Sequence, residues 1–282
     1  MIIELESGLR FQLDKSTSTA TVVTSPLATG HVQIPRTISD LNGVNYIITT
    51  IGVESFKDNK NIQDIILPDD SGLTSIEAFA FSNSSVRKIS FPACLEHLDA
   101  KCFEGADNLV EIEVSDSNQV YEYLDNKYLI QKQKEQTGDI LIFGRKDLKK
   151  AVIPSNIIKI APRAFSHCRN LKIVSFDPNG CILKEIGKRA FSKCPSLETI
   201  QPFPPSVNLF SEYSFSDLEK LVRVEFHTES LILKKDCFFN CKELSLASFP
   251  YLKKLNIDEM AFNKVSPHFV KLMPPDAEIE EI

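Results

Sequence analysis

The sequence predicts a solenoid, built of β-rich rungs with short helical turns, stacked right-handed behind an N-terminal β-hairpin cap. Three observations lead there. The stretch Ile160-Ala-Pro-Arg-Ala-Phe165-Ser-His-Cys168-Arg-Asn-Leu171-Lys-Ile-Val174-Ser-Phe176 returns as Ile186-Gly-Lys-Arg-Ala-Phe191-Ser-Lys-Cys194-Pro-Ser-Leu197-Glu-Thr-Ile200, with apolar side chains at the same offsets. That is an internal repeat. Its central ring recurs as Phe56, Phe81, Phe103, Phe165, Phe191, Phe215, Phe238 and Phe262, at spacings of 22 to 26 residues with one step of 62. Finally, 19 Phe and no Trp fit a spine position that demands a ring of one size in rung after rung.

A period in the low to middle twenties with one L-x-x-I-x-I/V/F strand signature matches leucine-rich-repeat length and pattern. One rung cannot bury its own apolar face, whereas stacked rungs make a continuous core. The motif I-G-x-x-A-F-x-x-C-x-x-L-x-x-I-x-I-P, nearly complete from Ile186 to Ile200 and close from Ala164 to Cys168, resembles the BspA-like (treponemal-type) leucine-rich repeat. Ile34-Pro35, Leu67-Pro68, Phe91-Pro92, Ile153-Pro154 and Phe249-Pro250 supply its terminal step. The resemblance covers nearly the whole chain. It weakens in the last third, where Leu218 and Val265 stand at the Cys position.

In chain order, residues 1–50 read as a capping β region. Leu9-Arg-Phe11-Gln-Leu13 and Ala20-Thr-Val22-Val23 flank a polar turn and form a hairpin, which covers the open end of the stack. It also resembles the opening hairpin of the family. Repeats occupy 51–114. Their outward strand positions are Asp64 and Ile66, Lys88 and Ser90, and Glu111 and Glu113, because side chains alternate along a strand.

Residues 115–147 read as a β-hairpin insertion, with Tyr128-Leu-Ile130 and Ile140-Leu-Ile-Phe143 as strands around the polar segment from Gln131 to Asp139. The family carries a similar tyrosine-containing hairpin. Lys127, Lys132, Lys134, Arg145, Lys146, Lys149 and Lys150 are interleaved here with Glu135, Asp139 and Asp147, the mixed pattern of a solvated hairpin, with a contact to an anion or an acidic protein as the alternative reading. Repeats resume over 148–262. Pro202, Pro204 and Pro205 interrupt one rung after Ile200. Residues 263–282 read as a C-terminal cap and a frayed acidic tail.

A formal charge of −6 disfavours nucleic acid, whose binding needs clustered cations. The first residues, Met1-Ile-Ile-Glu-Leu-Glu-Ser, form no secretory signal, and no stretch reaches the apolar length of a membrane span. A cytoplasmic location without membrane insertion is the reading from residues alone. Of seven Cys, Cys168, Cys194 and Cys241 share one repeat position and read as small buried hydrophobes. No His or Cys spacing predicts a metal, and no phosphate loop or nucleophile elbow is present. His167 beside Cys168 is the one adjacent pair, and an inward cysteine sends its neighbour elsewhere. No catalytic, cofactor or metal residue is assigned.

The candidate protein-binding surface is the strand face carrying Lys150, Val152, Ile173, Ser175, Thr199, Gln201, Arg223 and Glu225. Its middle is an apolar and hydroxyl patch of the kind that marks contacts, although β-propensity also places Val, Ile and Thr on exposed strands. The sequence therefore points to a non-enzymatic scaffold for a protein or glycoconjugate partner. The family resemblance implies a surface antigen or adhesin engaging host, matrix or cell-surface proteins, and the missing signal implies an intracellular interaction module instead. An enzyme would require a catalytic cluster outside the ladder.

Overall fold

The computed structural model describes residues 1–133 and 137–282, so Lys134 and Glu135 of the basic hairpin lie outside the described residues. The chain divides into two compact units, 1–129 and 130–282.

In the first unit, β1 (Ile2–Glu4), β2 (Arg10–Asp14) and β3 (Thr19–Val23) form an antiparallel meander, so the expected hairpin gains a preceding strand. The strands β4 (Gly30–Gln33), β5 (Thr37–Ser39), β6 (Asn45–Ile51), β7 (Ile62–Ile66), β8 (Ser75–Ile76), β9 (Lys88–Phe91), β10 (His97–Leu98), β11 (Glu111–Val114) and β12 (Tyr121–Leu124) follow. They stack as two parallel ladders, β3-β6-β8-β10 and β4-β7-β9-β11, with β5 antiparallel on β6. Each rung thus contributes a strand to both ladders. Phe56, Phe81 and Phe103 stack between them at centroid distances of 5.4 and 5.6 Å.

Buried asparagines close two of this unit's connections. Asn59 donates to the carbonyls of Ser25 and Ala28 and accepts from the N–H groups of Asn61 and Ile62. Asn118 does the same with Pro92, Leu95, Val120 and Tyr121. Each satisfies a turn that would otherwise bury bare backbone groups.

β13 (Tyr128–Gln131) spans the boundary between the units. The second unit continues with β14 (Asp139–Gly144), β15 (Lys150–Ile153), β16 (Ile157–Ile160), β17 (Ile173–Phe176), β18 (Glu185–Ile186), β19 (Thr199–Ile200) and β20 (Leu209–Phe210). After these come β21 (Arg223–Glu225), β22 (Ser230–Leu233), β23 (Leu246–Ser248), β24 (Lys254–Ile257), β25 (Val270–Leu272) and β26 (Glu278–Glu281). One parallel ladder runs β14-β16-β18-β20-β22-β24-β26; the other is split into β15-β17-β19 and β21-β23-β25. The acidic tail is not frayed: β26 pairs in parallel with β24 from Lys254↔Glu278 to Ile257↔Glu281, and Lys254 forms an ion pair with Glu280 at 3.3 Å.

The expected helical turns are absent, since no described residue is helical. The segment carrying each phenylalanine is a run of tight turns whose alternate N–H groups leave the rung. In Gly187–Cys194, Ala190 and Ser192 donate three residues back, to Gly187 and Arg189, at 3.1 and 3.2 Å. Between them, Arg189, Phe191 and Lys193 donate to Glu212, Ser214 and Ser216 of the next rung at 3.1, 2.8 and 3.0 Å. A helix needs every N–H directed along its own axis. That is prevented here by left-handed residues two positions before and after the ring, Arg189 at φ 58° and Lys193 at φ 59°. The same pair recurs as Glu54 and Asp58, Phe79 and Asn83, Arg163 and His167, Tyr213 and Asp217, and Asp236 and Asn240. Left-handed backbone costs a residue with a Cβ about 1–2 kcal/mol, offset here by bonds to the neighbouring rung.

The exposed side chain of Lys193 forms no hydrogen bond or ion pair among the described residues. Lys193→Gly should therefore stabilise the fold by about 0.5–1 kcal/mol, the relieved strain less the entropy lost by glycine. A rise in the urea midpoint at unchanged slope is the measurement that checks it.

Candidate functional site

The predicted surface is built by β15, β17, β19 and β21. Parallel register aligns Lys150 with Ile173 and Thr199, and Val152 with Ser175. Alternation exposes Val152 at 38% and Ile173 at 37%, together with Lys150, Thr199, Gln201 and Arg223, and leaves Glu225 half-buried. Ser175 departs from the expectation. It is only 3% exposed, and its hydroxyl donates to the Ala151 carbonyl at 3.3 Å. A side chain this short folds back onto β15 beneath its longer neighbour Val152, so it presents no hydroxyl to a partner.

What sequence reasoning missed is a cleft in this face. The ladder opens between β19 and β21, where Pro202 offers no N–H. Backbone pairing resumes after it, with Phe203 donating to Glu225 at 2.8 Å and His227 to Phe203 at 3.1 Å. The gap is a cleft of about 310 Å³ lined by Thr199, Gln201, Arg223, Glu225, Leu246 and Ser248, among others. Its two carboxylates are already engaged: Glu198 with Lys220 at 3.5 Å and Glu225 with the His227 ring at 2.5 Å. Among the described residues, the Arg223 guanidinium, the Thr199 and Ser248 hydroxyls and the Gln201 amide have no protein partner. The proline run visible in the sequence was the one signal that could have located the gap.

The outward positions of the first unit are chemically different. His31 meets Asp64 at 2.6 Å, and Asp64 is itself buried. Lys88 lies between Glu111 and Glu113 at 2.8 and 2.7 Å, and those two hydrogen bonds raise its pKa. This face is largely neutralised by its own ion pairs. The second unit's face carries exposed apolar side chains and, at Thr199, Gln201, Arg223 and Ser248, polar side chains with no protein partner among the described residues.

Chemistry finds no foothold at the cysteines. Cys168, Cys194 and Cys241 are fully buried. The thiols of Cys194 and Cys241 donate to the phenylalanine carbonyl of the preceding rung, Phe165 at 3.1 Å and Phe215 at 3.0 Å. Burial pushes the Cys194 and Cys237 thiols well above their usual range and Cys241 up to about 12. Burial of this kind disfavours the thiolate, which is the nucleophilic form. His167 lines an open groove with Arg169 and Lys193 while Cys168 faces the core, so the adjacent pair is divided. Among the described residues no group of three or more His, Cys, Asp or Glu is placed to hold a metal, and no helix is long and apolar enough to cross a membrane.

A family model described as the BspA type leucine rich repeat region matches the chain in 6 copies over residues 38–127 and 141–267. No curated protein matches it. Among solved structures, a leucine-rich repeat protein from Eubacterium ventriosum shares 17% identity over 98% of this chain and 96% of its own, with a TM-score of 0.57. A leucine rich cell surface protein from Faecalibacterium prausnitzii shares 17% identity over 100% and 94%, with a TM-score of 0.51. A leucine-rich repeat protein from Bacteroides ovatus shares 15% over 98% and 78%, also with a TM-score of 0.51. These likenesses show a common fold.

Proposed function

The chain belongs to the BspA-type leucine-rich-repeat family, a family of non-catalytic scaffolds, and on that premise we propose that it binds proteins through the strand face of residues 130–282. We infer further that it acts as a surface antigen or adhesin toward host, matrix or cell-surface proteins. One observation carries the reading: Val152, Ile173, Val222, Val270 and Leu272 are exposed on or beside the strands of one ladder, next to polar groups with no partner among the described residues. Apolar side chains gathered on one face and rimmed by polar groups mark contact surfaces. The cell-surface description of the Faecalibacterium protein supports the surface role.

The experiment is adhesion of beads coated with the purified chain to epithelial monolayers and matrix-coated plates. Ile173→Asp places an uncompensated charge in the centre of the face and should weaken binding by about 2 kcal/mol or more, as at an interface hot spot. Ile66→Asp, on the first unit's face, should leave it unchanged. Equal loss from both, or from neither, removes the strand face as the binding surface. Protease shaving of intact producing cells tests display: loss of the chain supports the adhesin, and protection until lysis favours the intracellular interaction module.

A further inference from the structure

We propose that the cleft between β19 and β21 is a receptor for a carboxylate side chain, a Glu or Asp carried on an extended protein segment flanked by apolar residues. This rests on the reading of the strand face as a docking surface and names the chemistry of what docks there.

The argument begins with charge. Three ionic side chains line the cleft, Glu198, Arg223 and Glu225. From outside it, Lys220 ion-pairs with Glu198 and the His227 ring hydrogen-bonds to Glu225, which leaves the Arg223 guanidinium as the ionic group of the cleft with no hydrogen-bonded or ion-paired partner among the described residues. Guanidinium presents its N–H donors in a planar fork matched to a carboxylate. Around it the Thr199 and Ser248 hydroxyls and the Gln201 amide are uncommitted donors that can complete the coordination of a second oxygen. A cation exposed on a flat surface is screened and worth little. This one stands in a concavity of about 310 Å³ with Leu246 in its wall, where a bound carboxylate is partly shielded from water.

Geometry then selects an extended segment. Parallel strands repeat about every 4.8 Å across the face, and alternate residues of an extended peptide lie roughly 7 Å apart. A peptide crossing the strands with its acid at Arg223 would bring the side chains two residues away over the flanking strands. Just beyond β19 and β23, roughly 10 Å from β21 and within the reach of a leucine side chain, stand the exposed Ile173 on β17 and Val270 on β25.

The test uses the full chain, isotopically labelled for amide NMR, with two acetylated and amidated pentapeptides as probes, LSESL and its neutral counterpart LSQSL. LSESL should shift the amides of Thr199, Arg223 and Ser248 and bind about tenfold more tightly than LSQSL, the scale of one charged hydrogen-bonded pair. Arg223→Gln should bring LSESL down to the affinity of LSQSL without altering the amide spectrum elsewhere, and Arg223→Lys should restore part of the preference. Equal affinity for both peptides, a preference that survives Arg223→Gln, or no shift with either peptide at millimolar concentration overturns the proposal. Shifts at Arg223 from a sialylated trisaccharide and not from LSESL overturn it in favour of a sugar acid. Failure here with adhesion still sensitive to Ile173→Asp removes the carboxylate and leaves the docking face. Insensitivity to Ile173→Asp removes the face itself.

Discussion

Phe191→Ala should destabilise the chain by about 3–5 kcal/mol, the cost of deleting a fully buried aromatic side chain and leaving a cavity. The ring is inaccessible to solvent and lies between Phe165 and Phe215 at 4.8 and 4.9 Å, with interplanar angles of 4° and 8°. Such pairs add to area burial, and truncation removes two of them at once. Stability in a stacked array is a sum of rung and nearest-neighbour terms, so a defect in the column weakens the coupling of the rungs on either side. Urea unfolding should show the lost free energy, with a reduced slope or a second transition as rungs 130–190 and 200–282 lose cooperativity. Phe262→Ala is the control, because Phe262 is half-buried near the end of the column and should cost markedly less. Equal costs for the two variants would mean that the column is not the spine.

That column was legible because each inward position is written once per period. Phe165, Phe191, Phe215 and Phe238 repeat a side chain whose size the stack selects, and the Leu and Ile around them repeat with it. The conformation of the segment carrying them was not legible. The left-handed positions before the ring include Glu54, Phe79, Arg163, Arg189 and Tyr213, none of them a residue that announces positive φ, whereas those after it hold Asp58, Asn83, His167, Asp217 and Asn240, with Lys193 as an exception. Before the ring, selection acts on the backbone, through N–H groups that must reach the next rung, and leaves little imprint on residue type. After it, the run of Asp, Asn and His is the imprint, and it lies outside the apolar frame by which the repeat is recognised. A short apolar run in a leucine-rich period therefore reads as a helical turn and folds as tight turns instead.

The candidate binding face divides the same way. Thr199 and Arg223 were placed outward by alternation alone, and the structure exposes both. The cleft between them was hidden, because it depends on a strand pair that fails to form. Pro202 in the sequence marks an irregularity but not the side on which the gap opens. Ser175 was lost to a shorter-range effect: a hydroxyl on a two-atom side chain finds the Ala151 carbonyl sooner than solvent. Asn59 stands at the Cys position of its rung, three residues after Phe56, and Asn118 lies outside the frame; the fourfold hydrogen bonding of each is visible only with the turns in place.

Gly187→Val should cost about 3 kcal/mol, the upper range for forcing volume into a packed interior. Gly187 does not adopt positive φ, so space and not backbone freedom requires glycine. A Cβ there would lie 2.7 Å from the Ile160 carbonyl oxygen, 2.8 Å from the Pro162 nitrogen and 2.9 Å from the Ala161 carbonyl carbon. All three are backbone atoms of the preceding rung, which no rotamer change can move aside. The Gly187 N–H also donates to the Ile160 carbonyl at 2.9 Å, so relief by separation would stretch a bond between rungs. Gly52, four residues before Phe56, shows the same close approach, with a Cβ there 2.9 Å from the Val22 carbonyl oxygen. The equivalent positions in the adjoining rungs, Ala161 and Ser211, already carry a Cβ, so the tight approach belongs to the rungs that have glycine and not to every rung. Ala161→Gly should cost about 1–2 kcal/mol, the entropic term together with the loss of one buried methyl. Denaturant midpoints for Gly187→Ala, Gly187→Val and Ala161→Gly decide the matter. A Gly187→Val protein within about 1 kcal/mol of the parent, well below the overpacking cost, would show that the rungs can separate there freely. The glycine of the I-G-x-x-A-F motif would then answer to something other than the spacing of the stack.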